Sequence, residues 1–569
     1  MTDHQKILDD VSANIIGAPL QPKAQGAFEA ADRFDHTLAM WAPPLRSADL
    51  DVLEAKETAD SRVRDMFRND GYVNSGAEVH KDSVVGDFFR FSSKPNLKIL
   101  GLEDDREWAR DFAEEVEAKF TMWADSPEGY VDSAGMMNLT EIVRLSVATT
   151  LLTGEWLHLF DWQPDAPGTY ATRIMPIDTD RLRTPFEHIG SDRVRGGVRL
   201  SRTGRHLGYY IWKQHPSENL WQRAHGGRDW KYVRADTSWG RRRVFYYRDV
   251  HRPEQTRGIS QLVSALKEMR LLKTYRGLEL QKAAVAATFA AVIESDMPTP
   301  EALAAIGAKT GDQNAYIAAA QEYLSAVGRY VNNAGNIQVD GVKIPHLFPG
   351  TKLHIEPASK AGGGIGQDFE RSLIRHMAAV FGMSEEEFSR DFSKTNYSSA
   401  RAAMLQTWRH FRARKKFVAE RVAASILRAW FEEAANKPLS RGGLESLRYR
   451  KAPNIYKPMM LDAYTAGYWM GAPRGQIDEL RETQAMILRI KTGVSTLEKE
   501  MRERGHDWQE VLEQRAREEE KMEELGLTYG EAESINAASG SVREMKDEDG
   551  GLKTPEMVKE VEEEDNGKG

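Results

Sequence analysis

Apolar residues recur at helical spacing through the first part of the chain, from about residue 50 to 160. In one such stretch Trp108, Phe112 and Phe120 fall on a four-residue repeat, which places them on one face of a helix over residues 103–123. Another helix is predicted over residues 139–152, ending at Gly154. This region is therefore predicted to be mainly helical.

Between residues 155 and 250 the pattern changes to short runs of aromatic and β-branched residues, separated by Gly and Pro. Such runs are typical of strands. We predict strands at 156–160, 172–177, 198–200, 208–212 and 243–247. The first half is therefore expected to be α+β, and the whole chain to be predominantly helical.

Two long helices are predicted further along. The first, residues 258–294, contains no Pro and would be about 55 Å long at about 1.5 Å per residue. Its stretch 283–291 is almost all small residues, which suits a helix packed between copies of the chain; a buried helix of a monomeric domain is the alternative. The second, residues 399–435, carries an apolar face that includes Phe411 and Trp430.

The remaining segments are shorter or more polar. Residues 296–365 hold a Pro-rich break, alanine-rich helical pieces and two strand-like runs at 336–339 and 352–355. A helix is predicted over 368–381, and residues 480–527 are largely helical and charged. The first 40 residues are expected to be a mobile arm, and the acidic end beyond about residue 530 to be disordered because it offers little apolar surface to bury.

Composition narrows the class of protein. The 569 residues allow roughly three or four domains, and the absence of cysteine excludes disulfides, thiolate metal sites and cysteine nucleophiles. No apolar run predicts a membrane helix, and no signal peptide is expected. The net charge of −8 is unlike that of a protein that binds DNA tightly, since phosphate contacts require a surplus of basic residues. Any DNA would have to pass without being held.

Motifs for chemistry are weak. Gly362–Gly366 fits GxGxG but lacks the context of a nucleotide site, and Ser264–Lys267 fits SxxK without companion motifs. Glu385–Glu387 could bind a divalent cation, although a solvated helix start is favoured. Arg241–Arg243 lie among aromatic residues and could bind a single strand, but a charged hairpin end or an inter-subunit contact is favoured. We therefore expect no catalytic, cofactor or metal site.

Residues 383–398 are the polar stretch between two predicted helices. Only Phe388 and Phe392 are strongly apolar, so we predict that the stretch does not pack as a core element and instead lines or crosses an opening. The two phenylalanines, four residues apart, could share a turn that anchors the stretch to a neighbouring subunit. Ser398 or Ser399 is expected to cap the helix that follows.

Residues 396–404, Asn-Tyr-Ser-Ser-Ala-Arg-Ala-Ala-Met, resemble the signature of the lambda-family portal proteins of tailed bacteriophages. Its defining positions here are Asn396, Tyr397, Ser398, Ser399 and Arg401. Other stretches are similar to that family's motifs in the same order: 62–72 with 84–86, 123–135, 152–155, 251–258, 347–357, 471–478, 493–496 and 505–508. The chain departs from the family where Glu479, not Pro, follows Asp478, and in its acidic tail.

The resemblance implies a portal fold assembled as a ring of twelve, with wing, stem, clip and crown. The implied parts are the α+β wing (41–257), a stem helix (258–295), the clip (296–365), a second stem helix (366–382), the channel or tunnel loop (383–398), a long wing helix and its return (399–470) and the helical crown (471–528). The mobile arm (1–40) and the disordered acidic tail (529–569), both inferred from composition, flank these parts.

The implied role is mechanical. Such a ring sits at one capsid vertex of the virion, nucleates head assembly, conducts double-stranded DNA during packaging and ejection, and connects head to tail. Its implied partners are further copies of itself, the DNA, the terminase large subunit, the major capsid and scaffold proteins and the head–tail adaptor, with no membrane and with assembly in the host cytoplasm. The alternatives are a metal-dependent nuclease or a cellular helical scaffold protein.

The resemblance also yields candidate site residues. Arg390, Lys394 and Asn396 are predicted to lie in the channel loop at its narrowest part, where Arg390 and Lys394 would touch phosphate. Glu279 and Glu294 are predicted to face the channel from the stem, where like charge lowers friction against sliding DNA.

Overall fold

The structure, a computed structural model, describes residues 40–218, 230–288, 365–393, 395–448, 452–475 and 478–527, together with scattered positions between 314 and 343. The chain divides into two compact units, Met1–Ile477 and Asp478–Gly569. Several predicted features lie outside the described residues: most of the arm 1–40, most of the clip 296–365, the strand at 352–355, Glu294, Lys394 and the tail 529–569.

The first unit begins with helices, as predicted. They are α1 (Ala48–Asn69), α2 (Gly71–Val84), α3 (Leu97–Leu100), α4 (Arg106–Ala124) and α5 (Leu139–Thr153). Side-chain caps set where they start: Asp70 accepts hydrogen bonds from the amides of Tyr72 and Val73, and Asn138 forms a capping box with Glu141. Gly154, with a φ of +76°, ends α5.

Among the described residues of the first half, eight strands are present, and they include all five predicted ones. They are β1 (Arg90–Ser93), β2 (Glu155–Trp162), β3 (Thr172–Pro176), β4 (Val194–Arg195), β5 (Val198–Leu200), β6 (His206–Trp212), β7 (Trp230–Arg234) and β8 (Val244–Arg248). Two antiparallel sheets result, one ordered β3-β2-β8 and the other β4-β5-β6-β7. The predicted α+β character is confirmed.

The first long helix starts later than predicted. Residues 258–260 are irregular, Gln261–Ala265 form a 3₁₀ turn capped by Ser260, and helix α6 runs over Leu266–Thr288. The predicted start at Gly258 is wrong because Gly258 packs backbone to backbone against Gly154: a Cβ added there would lie 2.0 Å from the Gly154 carbonyl oxygen. The Gly258 amide also donates to Glu155 at 3.1 Å and its carbonyl accepts from Lys56 at 2.9 Å, so both backbone groups bond outside a helix.

The rest of the first unit follows α6. Its elements are β9 (Gln338–Val339), β10 (Val342–Lys343), α7 (Ile365–Phe381), α8 (Glu385–Ser389), α9 (Tyr397–Arg414), a π-helical turn (Lys415–Ala419), α10 (Glu420–Asn436), α11 (Met460–Tyr464) and β11 (Gly467–Met470). Strand β11 pairs antiparallel with β1, so the segment after α10 returns to the first strand of the chain. The predicted second long helix is confirmed as α9, the π turn and α10.

Two apolar cores hold the first unit together. The larger joins α2, α4, α5 and α7 to α10, whose Ile426 and Trp430 are completely buried. The smaller fills the space between the two sheets around Leu157, Val198 and Ile211. Helix α10 packs on α5 and β3, and its Trp430 and Phe431 rings meet Phe120 and Phe112 of α4.

The second unit is a set of charged helices: α12 (Glu479–Lys491), α13 (Leu497–Glu503) and α14 (Trp508–Leu525). Neither α12 nor α14 buries a residue. Arg489 and Glu500 pair at 2.8 Å and link α12 to α13. Residues 480–527 are thus helical as predicted, but in three pieces.

Candidate functional site

The segment after α7 begins with a tight turn that only glycine fits. Gly382 has a φ of +70°, and a Cβ there would lie 2.6 Å from the His410 ring. Two residues later Ser384 caps α8, accepting from the Glu387 amide at 3.3 Å while the Glu387 carboxylate accepts from the Ser384 amide. The first part of the predicted channel loop is therefore a fixed, capped turn of helix.

Phe388 anchors this turn in the core of its own chain. Its side chain is 2% exposed, stacks on Tyr72 at 5.7 Å and packs against Phe381 at 5.1 Å. Gly76 makes room, since a Cβ there would lie within 3.0 Å of both phenylalanine rings. The prediction that residues 383–398 lack core packing is therefore wrong at Phe388.

The predicted pairing of Phe388 with Phe392 on one turn is also wrong. Arg390 has a φ of +57°, a left-handed conformation that ends α8 before Phe392 is reached. Phe392 is 49% exposed. Of the two phenylalanines only Phe388 is buried in the core, and residues 390–393 are exposed.

The acidic run 385–387 belongs to the helix start and to ion pairs within the chain. Glu385 accepts hydrogen bonds from Arg371 and, at 2.9 Å, from Arg375. Burial alone would raise the pKa of Glu385, but the two arginines outweigh it and lower that pKa. Glu386 accepts from the Thr395 hydroxyl at 3.3 Å, which ties the two ends of the segment together.

Asn396, not a serine, caps α9. Its side-chain oxygen accepts from the Ser399 amide at 2.8 Å and from the Ser399 hydroxyl at 2.9 Å. The prediction of Ser398 or Ser399 as the cap is wrong, because the helix begins at Tyr397, so that both serines already lie within it. In the signature, Asn396 thus sets the start of α9, while Ser398 and Arg401 are exposed.

The exposed part of the segment is short. Arg390 and residues 391–393 are exposed, and Asp391 accepts from the Ser393 amide at 3.0 Å. Lys394 lies outside the described residues. The structure therefore reduces the predicted 16-residue loop to a link of about six residues between two fixed helices.

Helices α6 and α7 form a pair through their side chains. Arg276 and Glu370 pair at 2.6 Å, and Tyr275 packs edge-on against Phe369 at 5.7 Å. Beyond this contact, every residue of α6 from Gly277 to Ala284 is exposed, including Leu278 and Leu280. Glu279 is on this exposed stretch, 3.7 Å from Lys282. Residues 277–284 of α6 thus form an exposed stretch beyond its contact with α7.

The end of α7 is held by contacts that the sequence analysis missed. The His80 ring is buried and hydrogen-bonds the Phe381 carbonyl at 2.7 Å; burial lowers its pKa to about 3, so it is neutral. Gln261 donates to the Val380 carbonyl at 3.0 Å, and the Ser384 amide donates to the Thr407 hydroxyl at 3.1 Å. Gly76 and His80 lie four residues apart and so on one face of α2; this spacing is the signal in the sequence that could have indicated the contact between α2 and the end of α7.

A buried ionic network fixes the start of α6 to strand β2. Glu155 is fully buried and accepts from Arg257, from the Tyr246 hydroxyl at 2.6 Å and from the Gly258 amide at 3.1 Å. Lys56 lies 3.2 Å from the same carboxylate. Burial would raise the pKa of Glu155, but Arg257 and Lys56 outweigh it and lower that pKa to about 2. The network joins the two stretches, 152–155 and 251–258, whose sequences resemble motifs of the family.

One group of side chains has the ligand types of a metal site. Among the described residues, Asp178, Asp180 and His215 lie close enough to share an ion. Arg64, however, already pairs with both carboxylates, at 3.2 Å from Asp178. The group is therefore an ion-pair cluster that links α1 to the sheet.

No helix among the described segments is long and apolar enough to cross a membrane.

Comparison with known proteins identifies the class. A family model described as phage portal protein, lambda family, matches residues 34–415. The portal protein of Escherichia phage N15 is 32% identical over 500 residues, covering 87% of this chain and 90% of that protein. Portal protein B of Escherichia phage lambda is 30% identical over 496 residues, covering 87% and 89%.

Solved structures give weaker likenesses. The neck of an empty GTA particle has a TM-score of 0.33 at 11% identity, covering 72% of this chain and 87% of that one. The virion of a native gene transfer agent particle has a TM-score of 0.29 at 13% identity, covering 74% and 97%. Scores this low support no argument about how copies of this chain are arranged.

The sequence matches define a structural protein of phage particles and not an enzyme. The chain belongs to the lambda family of phage portal proteins. The resemblance inferred from the signature at 396–404 is thereby confirmed, and the nuclease and cellular-scaffold alternatives are set aside.

Proposed function

We propose that twelve copies of the chain form a closed ring at one capsid vertex, through which double-stranded DNA passes during packaging and ejection. The ring nucleates head assembly with the major capsid and scaffold proteins. It seats the terminase large subunit and later the head–tail adaptor on residues 296–365. It assembles in the host cytoplasm.

The exposed stretch of α6 is the observation that carries this proposal. An isolated helix is marginal in water, and most helical stability comes from packing an apolar face. Leu278 and Leu280 are 59% and 73% exposed, whereas the first half of the same helix packs on α7, α1 and the core through Met269 and Leu272. In a ring, the same helix of the adjacent copy supplies the missing contact, as a repeated heterologous interface requires.

The link 391–396 is proposed to be the part of the channel that DNA touches. It is held at Phe388 and at the Asn396 cap, so its ends are fixed while Arg390 remains exposed. Arg390 and Lys394 are proposed to contact phosphate there. Glu279 and Glu294 are proposed to face the channel lower down, where negative charge keeps the duplex from binding.

Shortening the link tests this role. Deleting residues 391–393 leaves Phe388, Arg390 and Asn396 in place and should leave ring assembly unchanged while impairing DNA packaging or retention. The matched control is Phe392→Ala, which removes an exposed side chain at full length and should package normally.

A second variant isolates the charge. Arg390→Gly removes the guanidinium and suits the positive φ, so it should assemble and package but hold DNA less well at the end of packaging. Loss of the ring on deletion, with normal packaging in the rings that survive, would make the link a structural strut and contradict its proposed role.

A further inference from the structure

An uncovered apolar strap precedes α1. Residues 40–46, Met-Trp-Ala-Pro-Pro-Leu-Arg, run without helix or strand after Met40 and are exposed throughout. Met40, Trp41 and Leu45 are 99%, 73% and 101% exposed. Pro43 and Pro44 limit the backbone to an extended, polyproline-like form, which lowers the entropy lost on binding. We name this segment the strap.

A groove lined by aromatic residues lies at the far end of strand β2. Trp162, Trp239 and Tyr456 line it with 54%, 67% and 58% of their surfaces exposed, and its volume is about 980 Å³. Its floor comes from the end of α10 and the turn after it. We name it the tryptophan groove.

We propose that the strap of one copy lies in the tryptophan groove of a neighbouring copy. Proline-containing extended segments dock on aromatic-lined grooves because rigid rings pack well against the proline faces. Trp41 and Leu45 flank the two prolines and supply the apolar anchors. The inference rests on the proposed assembly into a ring, which provides the second copy.

The charges of the groove favour an uncharged occupant. Arg241 lies 3.4 Å from Glu432, and Lys437 lies 2.6 Å from Glu433, so two of the three cations that line the groove are already paired within the chain, the third being Arg441. Residues 40–45 carry no charge. An apolar strap therefore fits better than single-stranded nucleic acid or the acidic tail.

The strap is anchored at the opposite end of β2 from the groove. The Arg46 carbonyl accepts from Arg252 at 3.0 Å, and Asp49 accepts from the Thr256 amide at 2.6 Å, next to the residues that hold Glu155. Trp162 is seven residues along β2 from Glu155, about 23 Å at about 3.3 Å per residue. The strap does not lie on its own groove in this structure, since all its residues are exposed.

A double-mutant cycle tests the contact. Trp41→Ala and Trp239→Ala each remove an exposed side chain, so the isolated chain should keep its fold. Each should raise the protein concentration needed for assembly on the order of tenfold or more, as interface tryptophans do. The double variant should be no worse than either single one. Met122→Ala, 79% exposed on α4, is the matched control and should assemble normally. Additive effects, or none, would overturn the inference.

Cross-linking separates the inference from the proposed ring, and the cysteine-free chain makes it clean. Leu45→Cys together with Ser440→Cys, which lines the groove, should give a ladder of covalent oligomers on oxidation. Rings by native mass without a ladder would overturn the strap contact and leave the proposed function standing. A cross-link confined to single chains would overturn the exchange between copies. No rings at all would overturn both. If a single-stranded oligonucleotide, and not assembly, shielded the cysteine at position 440 from reaction, the groove would be assigned to nucleic acid.

Discussion

Replacing Glu155 by Gln probes the buried network between β2 and the start of α6. The carboxylate accepts from Arg257, Tyr246 and Gly258 and lies 3.2 Å from Lys56. Glutamine keeps the volume but removes the charge. Arg257 and Lys56, both nearly inaccessible, would then be left with too little negative charge.

The expected loss of stability is about 3 kcal/mol. The pKa of Glu155 falls from 4.5 to about 2 in the folded chain, and each unit is worth about 1.4 kcal/mol. Removing one partner of a buried ion pair costs about 3–5 kcal/mol in other proteins, which agrees in size. In a unit that spans Met1–Ile477, such a loss should shift the midpoint of thermal unfolding downward by only about 3 °C, so chemical unfolding is the better measurement.

Urea unfolding followed by circular dichroism measures this loss. The matched control is Glu57→Gln, whose carboxylate is 77% exposed and pairs with Arg183 at 2.6 Å. Exposed pairs contribute at most about 1 kcal/mol, so this variant should unfold close to the wild type. The double variant Glu155→Gln with Arg257→Gln should lose less than the sum of the single losses. A loss below about 1 kcal/mol for Glu155→Gln would refute the reasoning.

Three further predictions concern single side chains. Burial raises the pKa of Asp60 to about 6, although Lys56 opposes it, so the stabilisation from protonating Asp60 is complete below about pH 3.8 and is lost as the pH rises through 6. The wild type should therefore gain stability between pH 7 and pH 5, whereas Asp60→Asn should not, and urea midpoints across this range measure the difference. Asn396→Ala should destabilise the start of α9 by about 1 kcal/mol in amide hydrogen exchange, with Ser398→Ala unchanged; equal effects would disprove the cap assignment. Phe388→Ala should lower the free energy of unfolding by about 3–5 kcal/mol and Phe392→Ala by less than about 0.5, and similar losses would contradict their different burial.

Helices and strands were predictable where periodicity was strong. The spacing of Trp108, Phe112 and Phe120 located α4, because local pattern alone decides an amphipathic helix. The start of α6 was not predictable, since it depends on Gly258 meeting Gly154, which lies about a hundred residues earlier. Short strands such as β4 and β1 were missed because their two to four residues exist only through their partners.

The candidate site divides in the same way. The signature at 396–404 indicated the family, but not which of its residues caps α9, because two serines and an asparagine all cap well. Phe388 was misjudged because a polar stretch with only two phenylalanines carries no periodic signal, and the partners of Phe388, Tyr72 and Phe381, lie on other helices. His80 was missed because a lone histidine indicates nothing until the Phe381 carbonyl is placed beside it.

The mass and shape of the purified chain test the central claim most directly. Native mass spectrometry with negative-stain microscopy should show closed rings with an open centre, and twelve copies of a 64.2 kDa chain give a mass of roughly 770 kDa. The channel should be wide enough for a DNA duplex. A monodisperse monomer at high protein concentration, with no rings in the images, would contradict the account.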